Sequence, residues 1–387
     1  MGRLGVVAAV LMLGSALGGC RKSEGGGAEE TIKIGAFFSL SGSDSTFGID
    51  SKEGIELALE EQNAKGGVKG KKVRVLFEDD KSNPQEASNK VRQLIDRDKV
   101  VAVLGEVASS RSLAGGLIAN TKKVPMVTPS STAIEVTQGR EYVFRACFTD
   151  DMQGELGAAF ATKTLSKTKV AILFVAQDAY SSGLADAFRK SVTKLGGTIV
   201  ADKGYQKGET NFTTYLSELK AAGPELIYAP VYYTDMVPIA RQAKALDIPG
   251  SMFLGGDGWD SEDLLRGAAS ELEGAYFTNH YAPDVPWPGS QAFVTAYKTK
   301  FNREPSSLAA QAYDAAKLLF DAIERSEPSP QAIRDALAQT KGFQGATGTI
   351  TMDENRNAQK PLVVAQVRSG KFTYHSTVGD NVESAAK

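Results

Sequence analysis

What most restricts the fold of this chain is a rhythm. From Ile32 onward, short apolar runs alternate with stretches of helical period, and the cycle is completed twice. Runs at 32–38, 72–78, 100–104, 124–127 and 142–146 predict strands, separated by helical patterns at 52–64, 85–98 and 110–122. In the first of these helices Ile55, Leu57, Ala58 and Leu59 supply the apolar residues, and in the second Val91, Leu94 and Ile95. The glycines of A-K-G-G-V-K-G at 64–70 supply a helix stop. The second cycle predicts helices at 152–165, 182–195, 211–221 and 235–245, with strands at 169–175, 198–201, 226–231, 252–254 and 275–279. Strand, helix, strand at this spacing builds parallel units whose strands are covered on both faces. The fold class is therefore α/β, with two doubly wound sheets of five strands each.

After Asn279, the segment H-Y-A-P-D-V-P-W-P-G leads into helical stretches at 290–301, 307–325 and 330–340, then strand-like runs at 345–352 and 362–367. These elements are too few for a third core. They are expected to pack back on the first sheet, with the last run and 371–374 returning to the second. The first lobe is then 31–150 with 281–362, and the second 151–280 with 363–387. Crossings near 150, 280 and 362 make a hinge on which two rigid lobes can close.

Residues 1–20 form a separate unit. Arg3 precedes an uncharged, mostly apolar run of about 14 residues at 4–17, which is short of the roughly 20 that a membrane span needs and suits a secretory signal. L-G-G-C at 17–20 resembles a bacterial lipobox, which implies cleavage before Cys20 and lipid on its sulfur. Residues 21–31 have the glycine-rich, charged composition of a flexible tether. The mature protein is expected to be exported to the periplasm, anchored to a membrane through Cys20, and monomeric. Cys147 is then left without a partner, and its setting, Y-V-F-R-A-C-F, reads as a buried strand core. A formal charge of −2 gives no basic field for nucleic acid. Two histidines and two cysteines leave little material for a metal or redox centre, so no cofactor, metal or catalytic residue is expected.

In open α/β sheets, ligands sit outside the carboxyl ends of the strands. The residues placed there are Ser39, Ser41, Phe47 and Gly48 after the first strand, Ser109 and Ser110 after the third, and Ser130, Ser131 and Thr132 after the fourth. The second lobe contributes Tyr180, Tyr232, Tyr233, and Asp257 with Trp259 in L-G-G-D-G-W. Hydroxyls and the N-terminus of the helix after Ala108 suit a carboxylate. The acid on the facing lobe suits an ammonium, and the rings suit an apolar group. An α-amino acid with an apolar side chain carries all three features. Burying its charges costs several kcal/mol per ion unless each is paired, which gives the clustered hydroxyls a purpose beyond capping helices.

At these positions the chain resembles the periplasmic leucine/isoleucine/valine-binding family of ABC importers. The likeness is carried by I-G-A-F-F-S-L-S-G at 34–42, A-K-G-G-V-K-G-K-K at 64–72, E-D-D-K-S-N-P at 78–84 and V-T-P-S-S-T at 127–132, and runs from about Thr31 to Tyr374. The resemblance implies the type I periplasmic binding protein fold, two Rossmann-like lobes joined by three crossovers, and delivery of a captured solute to a permease with its ATPase subunits. It also implies roles: Ser109 and the Ser131 backbone on the α-carboxylate; Ser130, Thr132 and Asp257 on the ammonium; Phe47, Tyr180, Tyr232 and Leu308 around the side chain. Trp259 is a further candidate for the pocket wall. Leucine binders of the family often have Glu where Asp257 stands and an aromatic at Leu308, so the amino acid bound is left open. A disulfide found in some relatives is absent here, where Ser82 and Ala108 stand at its positions. Other readings are a binding protein for an amide, an aromatic acid or a short peptide, or a sensory module of the same fold.

Sharper motifs dissolve on inspection. K-G-G-V-K-G-K-K at 65–72 lacks the first glycine and the Ser/Thr of a phosphate loop and reads as a turn. Asp353, Asn355 and Asn357 begin like a calcium loop, but Ala358 stands in place of its glycine and Val364 in place of its bidentate Glu, which leaves a hairpin. Asp260, Glu262 and Asp263 read as the acidic first turn of a helix. No G-x-S-x-G elbow accompanies His280 or His375, so a serine hydrolase is excluded.

Overall fold

The computed structural model describes residues 31–378, so the calls on the signal segment, Cys20 and most of the tether lie outside the described residues. The first sheet has five parallel strands, β1 (Ile32–Phe38), β2 (Val73–Asp79), β3 (Ala102–Leu104), β4 (Met126–Thr128) and β5 (Val143–Arg145), in the order β2-β1-β3-β4-β5. Helices α1 (Ser45–Ala64), α2 (Pro84–Asp96) and α3 (Ser109–Thr121) connect them. β3, β4 and β5 are buried throughout, as parallel strands covered on both faces must be.

The chain continues through α4 (Asp150–Ala159), β6 (Lys169–Val175), α5 (Ala179–Lys194), β7 (Thr198–Tyr205), α6 (Thr213–Ala221), β8 (Leu226–Ala229), α7 (Tyr233–Ala245), β9 (Phe253–Gly255), α8 (Glu262–Ala268) and β10 (Tyr276–Asn279). It ends in α9 (Pro288–Phe301), α10 (Ser307–Arg325), α11 (Pro330–Ala338), a small antiparallel sheet of β11 (Phe343–Gly345), β12 (Gly348–Met352) and β13 (Ala358–Gln359), then β14 (Leu362–Arg368) and β15 (Lys371–Val378). The second sheet has seven strands, β15-β14-β10-β9-β8-β6-β7. β6 to β10 are parallel, and β14 and β15 extend the sheet antiparallel beyond β10.

Helix starts follow capping chemistry. Asn83 accepts from the Gln85 and Glu86 N–H groups with Pro84 at the first helical position, and Ser306 and Ser329 cap α10 and α11 in the same way. The largest boundary difference from expectation is in α1, which begins at Ser45, not at 52. Gly48 and the hydroxyl residues beside it look like loop in sequence. In the fold, Gly48 lets the first turn press onto the end of β1, where an added Cβ would lie 2.0 Å from the Ser39 carbonyl oxygen. Gly54 does the same against α10, where a Cβ would lie 2.0 Å from Ala309 O. The tail helix α10 is thereby locked onto α1, which brings Leu308 to the cleft.

The dismissed motifs have the expected local structures. Val68 and Lys71 bridge a tight turn with positive φ at Gly67 and Gly70. Asp353 accepts from the Asn355 and Asn357 N–H groups and closes the β12–β13 hairpin.

Candidate functional site

A cavity of about 10 Å³ lies between the carboxyl ends of the two main sheets, lined by Phe47, Val107, Ser109, Ser130, Thr132 and Leu308 from one side and Tyr180, Tyr232, Asp257 and Gly258 from the other. That is room for about one water, so an amino acid enters only when the walls separate. Contacts around the rim hold them together. The Tyr233 hydroxyl donates to Ser43 O at 3.0 Å, Thr46 bonds Asp263, and the Asp260 carboxylate accepts from both Asn279 Nδ2 (2.9 Å) and Ser307 N (2.8 Å).

On the first wall, α3 starts at Ser109 with no side-chain cap, so its leading N–H groups and dipole face the cavity mouth. The turn before it is fixed by ions. Arg111, 1% exposed, reaches Asp44 (2.7 Å) and Glu106 (3.1 Å), while Glu106 accepts from Ser39 N, Ser39 Oγ and Ala108 N. Asp80, which takes the Ser39 hydroxyl at 2.7 Å, has its carboxyl pushed up to about 7 by burial and then by the Glu106 charge. Ser130 Oγ and Thr132 Oγ1 are buried and have no partner within 3.5 Å among the described residues, the Thr132 hydroxyl facing the Asp150 carboxylate.

On the second wall, the Tyr180 and Tyr232 rings stack at 4.9 Å with 5° between planes, and the Phe47 edge meets Tyr232 at 5.6 Å across the cleft. The Tyr180 hydroxyl accepts from Gly258 N at 3.0 Å, and burial first, then Asp257, holds its ionisation well above the usual phenol range. Asp257 is 6% exposed; one oxygen, Oδ2, lies 3.2 Å from His280 Nε2, and the other, Oδ1, has no partner within the protein. Each such orphan costs about 1–3 kcal/mol and calls for an occupant.

Eight of the sequence candidates thus meet in one cavity: Phe47, Ser109, Ser130, Thr132, Tyr180, Tyr232, Asp257 and Leu308. Two do not. Ser131 is inverted: its hydroxyl bonds Glu106 O, Val107 O and Ser112, its N–H is taken by Thr128 Oγ1, and its carbonyl accepts from Arg145. Its backbone therefore has nothing to offer a carboxylate. Trp259 is wholly buried, donates Nε1–H to Ala229 O at 3.1 Å and lies against Gly255, because the short turn at 257–259 carries its ring back under the sheet. Ser39 and Ser41 serve Asp80, Glu106 and Asp79 instead of the cavity. Cys147 is free and buried beside Ser131 O, with its thiol pushed up to about 12 by burial.

Three functional side chains escaped the sequence reading: Arg111, Asp150 and His280. Asp150 is buried at the start of α4 facing the Thr132 hydroxyl, and burial first, partly offset by that hydroxyl and reinforced by Asp257, holds its carboxyl well above the usual range. A charge inside an otherwise uncharged stretch, as in V-A-S-S-R, was the available signal for Arg111. A larger groove of about 1140 Å³ lies elsewhere, lined by Trp287, Phe293, Tyr313 and Lys317 among others. Its ions already answer one another: Asp314 accepts from Ala346 N and Thr347 N, Lys317 faces Glu61, and Lys360 donates to Gln311. It offers a ligand little uncompensated charge.

Known proteins share this arrangement. A family model described as periplasmic binding protein matches residues 31–371. A Leu/Ile/Val-binding protein homologue of Brucella melitensis is 31% identical over 334 residues, 85% of this chain and 89% of the relative. The crystal structure of a leucine-binding protein from Thermotoga maritima is 39% identical, with a TM-score of 0.85 over 90% of this chain and 98% of that one. The branched-chain amino acid transporter substrate-binding protein of Streptococcus pneumoniae, solved with isoleucine, is 33% identical with a TM-score of 0.85 over 90% and 99%. These are exported binding components of ABC transporters, not enzymes. With two doubly wound sheets closing on a buried polar and aromatic cavity, this chain belongs to the periplasmic binding protein family.

Proposed function

We propose that this protein captures an apolar α-amino acid, of the branched-chain class, by closing its two lobes, and delivers it to an ABC permease with its ATPase subunits. The observation that carries the reading is the set of partnerless polar atoms on opposite walls of one cavity: Ser130 Oγ and Thr132 Oγ1 on one, Asp257 Oδ1 on the other. The uncapped start of α3, with Ser109, suits the α-carboxylate; Asp257, Ser130 and Thr132 suit the ammonium; Phe47, Tyr180, Tyr232 and Leu308 suit the side chain. An aromatic acid lacks the cation and would leave Asp257 buried without a counter-charge. The lobes that close are 31–150 with 281–362 and 151–280 with 363–387, and bound ligand favours the closed state by differential affinity. A monomer tethered through lipidated Cys20 completes the reading. The test is a thermal-shift panel of the common amino acids on the chain from Thr31 onward. Apolar members are expected to raise the midpoint in a concentration-dependent way, and a panel with no response, or a response to acids lacking an amine, contradicts the assignment.

A further inference from the structure

The reading above leaves one buried base unused. His280 follows β10 at a crossing between the lobes, is fully buried, and lies against Phe148 from another crossing, with 4.3 Å between ring centroids and 37° between planes. Its backbone N–H is held by Asn279 Oδ1, and Asn279 in turn donates to Asp260, which accepts from Ser307 of the opposite lobe. The ring is therefore fixed from both sides of the hinge. A carboxylate only accepts, so the ring donates Nε2–H to Asp257 Oδ2 at 3.2 Å and leaves Oδ1 as the free acceptor in the cavity. The other ring nitrogen, Nδ1, is buried with no partner among the described residues.

We propose that His280 is a positioning residue that presents Asp257 to the ligand ammonium and that makes ligand capture compete with protonation of its own ring. The inference rests on the amino-acid reading. Neutral His280 orients the carboxylate and leaves its charge to the ligand. A proton on Nδ1 creates an imidazolium against the same carboxylate, which then meets a second cation at close range. Binding and protonation are thus mutually exclusive to first order, and reciprocity requires each to weaken the other. The other ionisable groups facing the pair are Asp260, Asp150 from α4, Tyr180 from α5, Tyr228 from β8 and Cys147. Asp150, Asp260 and the two tyrosines are pushed toward their neutral forms, by burial first, and so is the Cys147 thiol.

The sign follows. Affinity for an apolar amino acid is highest above neutrality and falls as pH drops, by up to about tenfold per pH unit once the ring is protonated in the free protein. In calorimetric titrations from about pH 8 to about pH 5.5, the parent follows this slope, whereas His280→Gln, which retains a donor and cannot titrate, stays within about twofold. A parent with pH-independent affinity, or a His280→Gln variant with the parent's slope, overturns the inference. A second measurement needs no change at the site. The chain has two histidines, so His375→Gln leaves His280 as the one imidazole in the spectrum; saturating ligand is expected to move its NMR titration to lower pH, and an unmoved titration contradicts the competition. A parent that binds no amino acid at about pH 8 overturns the amino-acid reading itself and the inference with it.

Discussion

On one side of the cleft the polar groups are held by a helix start and a buried ion cluster; on the other they hang on stacked rings and a single carboxylate. Ser109 sits at the first turn of α3, and the loop before it is tied down by Arg111, Asp44 and Glu106 within the same lobe. On the opposite wall His280 holds Asp257 and Asn279 holds Asp260 from the same stretch of chain, and one bond, from Ser307 N–H to Asp260, reaches across the hinge. A wall braced within its own lobe keeps its shape when the cleft opens, so the carboxylate end of a ligand has a preformed landing place. The Ser307–Asp260 bond is the part of the second wall that depends on closure.

The largest expected effect breaks the first wall. Arg111→Met leaves Asp44, Asp80 and Glu106 facing one another in the interior, and unfolding in urea should lose about 3–5 kcal/mol, as when one partner of a buried ion pair is removed. A loss below about 1 kcal/mol would show that this wall is not held by its ions. The smallest effect sharpens the boundary of the second wall. Trp259→Phe removes the bond to Ala229 O and should cost about 1–3 kcal/mol of stability with ligand affinity unchanged within measurement error. A tenfold loss of affinity would return Trp259 to the binding wall.

The two walls were also unequally legible in the sequence. Strand ends carrying S-S and P-S-S-T mark the first wall because hydroxyls after an apolar run are local signals. Asp257 and the tyrosines follow from the same rule applied to the second lobe. What sequence order hides is direction. Ser131 and Trp259 are next to true wall residues, but a one-residue step turns Ser131 inward to the Glu106 and Val107 carbonyls, and a tight turn rotates Trp259 under the sheet. Arg111, Asp150 and His280 each face a carboxylate far off in sequence, Asp44 for Arg111 and Asp257 for the other two. Periodicity carries no such long-range information. The early start of α1 was hidden for a local reason: Gly48 reads as a helix breaker until the β1 end that requires it is in view.

The central claim is that each end of a dipolar ligand is neutralised by a different wall. It is tested most directly by calorimetry with leucine and its des-amino analogue, 4-methylpentanoate, on the parent protein and on Asp257→Ala. The account predicts that the parent prefers leucine by about 100-fold or more, as expected when one side of a buried charge pair is missing. In Asp257→Ala that preference should collapse, with the unliganded melting midpoint nearly unchanged. Equal binding of both compounds by the parent, or an undiminished preference for leucine in the variant, would contradict it.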